Sequence, residues 1–147
     1  GLAAPYYLAR AQFFDRKGEY RKALPDYNQY DSLTHTVDPT FFYARYKCET
    51  KLRMWQQALL DIARTCYLAP KEPTYFAEWA SLDLRVKRID EGISAAKACI
   101  NLAPEYADGY LLLGLLQREK GLKQESIENL KKAQELGDTR AEEYLKQ

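Results

Sequence analysis

The sequence predicts an all-α fold, an α-solenoid of four helix-turn-helix repeats closed by a short C-terminal helix. Three observations carry this. The tripeptides Leu68-Ala69-Pro70 and Leu102-Ala103-Pro104 lie 34 residues apart and set a repeat frame. Within that frame, apolar residues recur at helical spacing. Turn and cap residues fall between the periodic segments, where paired helices need them.

Reading back from the tripeptides, Pro39 and Pro73 open two repeats. A later repeat starts at Ala107, with Asp138 where its closing proline would stand. An earlier one starts near Ala4 and carries one extra residue, Asp38. The chain 1–147 therefore reads as a single repeat domain with repeats at about 4–38, 39–72, 73–106 and 107–140 and a cap at 141–147. An aromatic stands fourth in each repeat: Tyr7, Phe42, Phe76 and Tyr110. A turn follows at Lys17-Gly18, Leu52-Arg53, Lys87-Arg88 and Lys120-Gly121. A small residue comes next, Ala23, Ala58, Gly92 or Ser126, where two helices must approach closely. Each repeat closes on a leucine: Leu33, Leu68, Leu102 or Leu136.

The helices expected are 5–17, 20–34, 39–52, 55–68, 73–86, 89–102, 106–120 and 123–136, with a capping helix near 139–146 that turns Ala141 and Tyr144 inward. Asp38 before Pro39 reads as an N-cap followed by proline at the first helical position. Gly18 and Gly121 suit tight turns. One helix pair cannot hide its apolar face, and stacked pairs can.

These residues resemble the tetratricopeptide repeat family over nearly the whole chain. The repeat 107–140 matches best, with Tyr110, Leu113, Gly114, Gly121, Ala133 and Leu136 in place. The resemblance implies a right-handed solenoid and a non-catalytic protein-interaction scaffold that takes a partner peptide or helix in a concave groove lined by the first helix of each repeat.

Projected onto this chain, that geometry names Arg16, Tyr43, Lys47, Lys51 and Arg85 as a cationic and aromatic stretch for an acidic, partly apolar partner. It also names Leu111, Leu112 and Leu115 as an apolar stretch, either exposed for a contact or covered by the capping helix near Tyr144 and the curvature of the array. Relatives that clamp chaperone C-termini use Lys and Asn. Leu8 and Gln12 stand at the matching positions of the first repeat, so that ligand is not expected. The alternative reading is a self-assembling structural module, possible homo-oligomer included, that pairs through the Leu111–Leu115 end.

Several departures from the family pattern carry structural expectations. Arg10 and Arg45 stand where leucine is usual, and each has an aspartate sixteen residues later, Asp26 and Asp61. The other two repeats lack both partners, with Trp79 and Ala95, then Leu113 and Asn129. Charge that comes and goes in pairs predicts an interhelix Arg–Asp bridge in each of the first two repeats. Tyr46 occupies a position that favours Gly or Ala, so looser packing is expected there. Pro25, six residues into its helix, predicts a kink or a displaced helix start. His35 reads as a loop residue.

Composition narrows the function further. Lys+Arg 22 against Asp+Glu 21 leaves +1, which argues against phosphate-led nucleic-acid binding. No apolar run approaches the ~20 residues of a membrane-spanning helix. One histidine and three scattered cysteines, Cys48, Cys66 and Cys99, supply neither a closed zinc site nor a disulfide framework. No catalytic residue, metal or cofactor is expected. Unpaired thiols lean toward the cytoplasm over the periplasm without fixing the compartment. Gly1 reads as the scar of a cleaved tag, which leaves room for a leader or an upstream domain.

Overall fold

The computed structural model describes residues 3–147; Gly1 lies outside them. Among the described residues the chain is all-α, with α1 (Ala3–Arg16), α2 (Tyr20–Thr34), α3 (Pro39–Lys51), α4 (Trp55–Leu68), α5 (Pro73–Arg85), α6 (Ile89–Leu102), α7 (Ala107–Lys120), α8 (Lys123–Glu135) and α9 (Arg140–Leu145). Two compact units, Gly1–Ala69 and Pro70–Gln147, divide it between the second and third repeats. The first unit holds α1–α4 and the second holds α5–α9.

In the first unit, Ala11, Ala23, Leu24, Tyr27, Phe41, Phe42 and Cys48 form the core. Tyr27 and Tyr30 of α2 meet Phe41 of α3 with ring centroids 5.9 and 5.2 Å apart. Both expected bridges form. Arg10 Nε and Nη2 donate to Asp26 at 2.7 and 2.8 Å. Arg45 Nε and Nη2 donate to Asp61 at 2.7 and 2.9 Å. Each is the two-point contact that a planar guanidinium makes with a carboxylate.

The second unit uses apolar residues at the same register. Leu113 and Leu116 of α7 pack with Ala80, Ala95 and Ala96. Leu111, Leu115, Leu130, Ala133 and Ala141 form a further cluster, joined by Tyr144 and Leu145 of α9. Small residues set the helix spacing. A Cβ at Gly114 would lie 2.9 Å from Leu130 Cγ, and one at Gly92 would lie 2.6 Å from Leu116 Cδ2. Asp138 and Asp108 both bind Arg140, at 2.7 and 2.6 Å, and tie the cap to α7.

Asp38 caps α3 as expected, accepting from the Thr40 amide at 2.9 Å with Pro39 at the helix start. α2 runs unbroken through Pro25 from Tyr20, so its start is not displaced. Pro25 and Arg21 face solvent, where water reaches the carbonyl that the missing donor leaves unbonded. Tyr46 is buried, its ring stacked on Tyr43 at 5.9 Å. His35 ends α2 in the left-handed region at φ 48°.

The four intra-repeat turns share one backbone demand. Gly18 and Gly121 have φ of 75° and 87°, and the equivalent Arg53 and Lys87 have φ of 59° and 66°. Side chains disfavour that conformation by roughly 1–2 kcal/mol, and glycine does not. Arg53 is exposed and makes no ion pair among the described residues. Arg53→Gly is therefore expected to stabilise the chain by about 0.5–1 kcal/mol after the flexibility of glycine is counted. Denaturant unfolding checks this; an unchanged or lower midpoint contradicts it.

Candidate functional site

The sequence-named residues lie in both compact units. In the first, α3 carries Tyr43, Lys47 and Lys51. Tyr43 and Tyr46 stack with planes 16° apart, and Lys47 Nζ sits 4.7 Å from the Tyr43 ring centroid. Lys47, Lys51 and Arg16 are exposed. None of the three forms an ion pair with a carboxylate among the described residues.

In the second unit, Arg85 of α5 and Leu115 of α7 line one cleft of about 410 Å³. Leu84, Leu115 and Tyr144 give it apolar walls, while Arg85, Lys87 and Arg118 give it charge. Arg118 is engaged by neutral groups. Its Nη1 donates to Gln147 at 3.1 Å, and its guanidinium carbon lies 5.0 Å from the Tyr144 ring centroid. Glu119 accepts from Lys87 at 3.3 Å.

The leucine stretch requires a correction. Leu111 and Leu115 are only 4% and 9% exposed, and Leu112 is partly buried against the α5–α7 core. α8 and α9 cover Leu111 and Leu115 through Leu130, Ala133 and Ala141. The exposed apolar surface expected of Leu111–Leu112–Leu115 is therefore absent. Leu115, 9% exposed, lines the cleft with the small part of its surface left open.

A larger cleft of about 550 Å³ lies in the first unit and was not foreseen. Asn28, Asp31 and His35 line one side, Arg64 and Tyr67 the other, with Phe42 and Arg45 between. Arg64 lies 5.3 Å from the Phe42 ring centroid. Family geometry directs attention to first helices, and Arg64 and Tyr67 sit on a second helix, α4. Tyr67 is 84% exposed, a strong signal only once the helix face is known.

Beneath these surfaces is a buried polar cluster. Arg45 bonds Asp61 and also donates from Nη1 to Asp31 at 2.9 Å. Glu49 is buried beside Asp61. Burial first, then hydrogen bonding to Asp61 and its charge, push the Glu49 carboxyl well above the usual carboxylate range, with Arg45 opposing. Glu49 is therefore protonated at neutral pH and donates to Asp61. In the second unit, burial pushes Asp83 up to about 6 despite Arg88 Nε at 3.3 Å. The three cysteines are free and buried. Burial pushes Cys48 and Cys66 up to about 12 and Cys99 to about 11, so all are neutral thiols.

Residues 107–136 match the tetratricopeptide repeat family model. Residues 107–136 are a tetratricopeptide repeat, and the chain has the tetratricopeptide-repeat fold. MamA residues 41 to the end from Desulfovibrio magneticus RS-1 is similar at 22% identity and TM-score 0.87, covering 99% of this chain and 82% of that one. YrrB, described as a tetratricopeptide-repeat protein with an unusual peptide-binding site, is similar at 20% identity and TM-score 0.89, covering 98% and 74%. The OM64 tetratricopeptide domain from Arabidopsis gives 15% identity and TM-score 0.69, covering 74% and 91%. No curated protein matches the sequence. No helix among the described residues is long and apolar enough to cross a membrane.

Two measurements test the tetratricopeptide core. Asp61→Ala removes the two-point partner of buried Arg45 and is expected to cost roughly 3–5 kcal/mol. The paired Arg45→Leu, Asp61→Leu change is expected to cost much less, since Asp31 is partly exposed and rehydrates. Equal losses in denaturant unfolding count against the bridge. Glu49 holds its proton in the folded chain at pH values where the unfolded chain releases it. Its contribution is full below the unfolded value, near 4.5, and is lost as pH rises through its raised folded value. Stability is expected to fall from pH 5 to pH 8 with a slope of up to about 1.4 kcal/mol per unit. Glu49→Gln flattens that fall; an unchanged slope assigns it to other groups.

Proposed function

We propose that the chain is a non-catalytic protein-interaction scaffold whose first-helix surfaces bind an acidic, partly apolar peptide or helix. The observation that carries this reading is the cleft between α5, α7 and α9, where Arg85, Lys87 and Arg118 surround Leu84, Leu115 and Tyr144. An apolar wall supplies burial, and cations beside it select carboxylates over neutral side chains. Tyr43 with Lys47 repeats that chemistry on α3, with a ring face and a cation 4.7 Å apart.

The fold adds a general argument. Stacked helical repeats present extended surfaces that suit elongated partners. The rival reading, self-pairing through an exposed Leu111–Leu115 end, loses its surface because α8 and α9 cover those side chains.

The test is affinity capture from source lysate with the wild-type chain, a Tyr43→Ala, Lys47→Glu variant and an Arg85→Glu, Arg118→Glu variant, all matched for helicity. A protein kept by wild type and lost by either variant is the expected result, with capture weakening as salt rises. Identical capture by all three chains contradicts the reading.

A further inference from the structure

We infer that the groove between α2 and α4 is a second docking site, which takes an acidic segment of a partner protein with apolar residues on both sides of the acid. Two clefts of the first unit form this groove. The cleft of about 550 Å³ and a neighbour of about 310 Å³ share Asn28 of α2, Arg45 of α3 and Arg64 of α4. Together they run beside α4 from Gln57 to Leu68, about 16 Å at the helical rise. Apolar side chains border both ends, Met54 and Leu60 at one, and Val37, Tyr67 and Leu68 at the other. Tyr67, Val37 and Leu60 are 84%, 75% and 66% exposed, more than any other large apolar side chain among the described residues. Single exposed apolar residues are ordinary on a surface; that these three border one groove singles it out.

The repeat itself does not require them. Pro25, Gln29 and Ser32 of α2 hold the places equivalent to Leu60, Arg64 and Tyr67 of α4. Ser94, Ala98 and Asn101 hold them in α6, and Glu128, Lys132 and Glu135 in α8. All are exposed except Ala98, which is partly buried. This face is therefore open in every repeat, and small or polar residues satisfy it. Leu60 and Tyr67 bury little area within the fold, and an occupant that covers them removes that area from water.

Arg64 sets the chemistry of the occupant. Of the carboxyl groups that line the groove, Asp31 and Asp61 are bound by Arg45, and Glu49 is buried. Arg64 is exposed and forms no ion pair among the described residues. Its guanidinium is held over Phe42, 5.3 Å from the ring centroid, and its charge is left uncancelled. A guanidinium so placed accepts a carboxylate at two points, as Arg45 accepts Asp61. Arg64 follows Leu60 by four residues and precedes Tyr67 by three, so the three share one helix face. An acid on Arg64 therefore carries its own flanking side chains onto Leu60 and Tyr67. A second copy of the chain brings no unengaged carboxylate from this groove, and a partner of that pattern does.

The probe is a displayed library of random peptides of roughly 12 residues, long enough to span the groove as a helix. It is selected on the intact chain and depleted on a Leu60→Ser, Arg64→Ala, Tyr67→Asn chain. That variant carries the residues that α6 already has at these places, so unchanged helicity is expected. The expected result is a family of peptides with Asp or Glu flanked by apolar residues. Titrated as free peptides, they should bind the Arg64→Glu chain at least about tenfold more weakly than wild type. They should bind the Tyr43→Ala, Lys47→Glu chain as they bind wild type. Loss of binding to that chain overturns the proposal, because the peptides then occupy the α3 surface. Enriched peptides that lack an acid, or that bind the Arg64→Glu chain equally well, overturn it too. So does a selection in which no peptide binds below about 1 mM. Concentration-dependent dimerisation that the triple change abolishes also overturns it, by assigning the groove to a second copy. The changes on α4 leave Tyr43, Lys47, Arg85 and Arg118 in place, so this outcome is separate from the capture experiment.

Discussion

Arg45 joins three helices, and the first compact unit is organised around that junction. Its Nε and Nη2 hold Asp61 on α4, and its Nη1 holds Asp31 on α2. The guanidinium lies over the Phe41 and Phe42 rings, and the side chain is only 10% exposed, so the charge is largely removed from water. A buried guanidinium costs several kcal/mol to desolvate unless it is fully paired, which fixes where α2 and α4 can lie. Glu49 extends the cluster. With Asp61 already committed to Arg45, a second negative charge beside it is disfavoured, and Glu49 keeps its proton. The second unit meets the same packing requirement with Leu113 and Leu116, which tolerate small shifts and constrain geometry by shape alone.

The polar column deeper in the repeats shows how local these solutions are. Glu49 faces Asp61, and Gln117 accepts from Asn129 at 2.7 Å. At the equivalent place in the third repeat Asp83 stands opposite Ala95, and neither carboxylate oxygen has a hydrogen-bond partner. Arg88 approaches one oxygen at 3.3 Å, close enough for ion pairing but outside hydrogen-bond geometry. That contact only partly offsets burial, which is why Asp83 is raised where an ion-paired aspartate is ordinarily lowered. A buried carboxylate of this kind opposes folding as it ionises, so its unfavourable window opens between its ordinary value and about 6.

Most of the architecture was legible because a 34-residue period constrains every helix at once. The Arg10–Asp26 and Arg45–Asp61 bridges were legible because sixteen residues link the same two positions in each repeat. Asp31 escaped notice since its contact crosses from one repeat to the next, where no fixed spacing recurs along the chain. The strained turns at Arg53 and Lys87 were hidden because only glycine advertises a left-handed position in sequence. For Leu111 and Leu115 the sequence left exposure and cover by the cap as alternatives for a physical reason. The expected groove assumes an open first-helix surface, and the six-residue α9 folds back with Ala141, Tyr144 and Leu145 to close it.

Pairing inside the fold also decides which cations remain for a partner. Arg45 is neutralised internally, and Arg140 is held by Asp108 and Asp138. Lys120 lies 2.7 Å from Asp90. Among the exposed cations left without a carboxylate, four are ordered by aromatic rings. Lys47 rests over Tyr43, Arg64 over Phe42, Lys17 over Phe13, and Arg118 over Tyr144. Each lies over a ring, which orders the side chain without cancelling its charge. Preordered cations beside apolar area lose little entropy when a carboxylate arrives. The net charge of +1 therefore does not describe the surface, because some of the carboxylates that balance the total, Asp26, Glu49, Asp61 and Asp83, are buried inside the repeats.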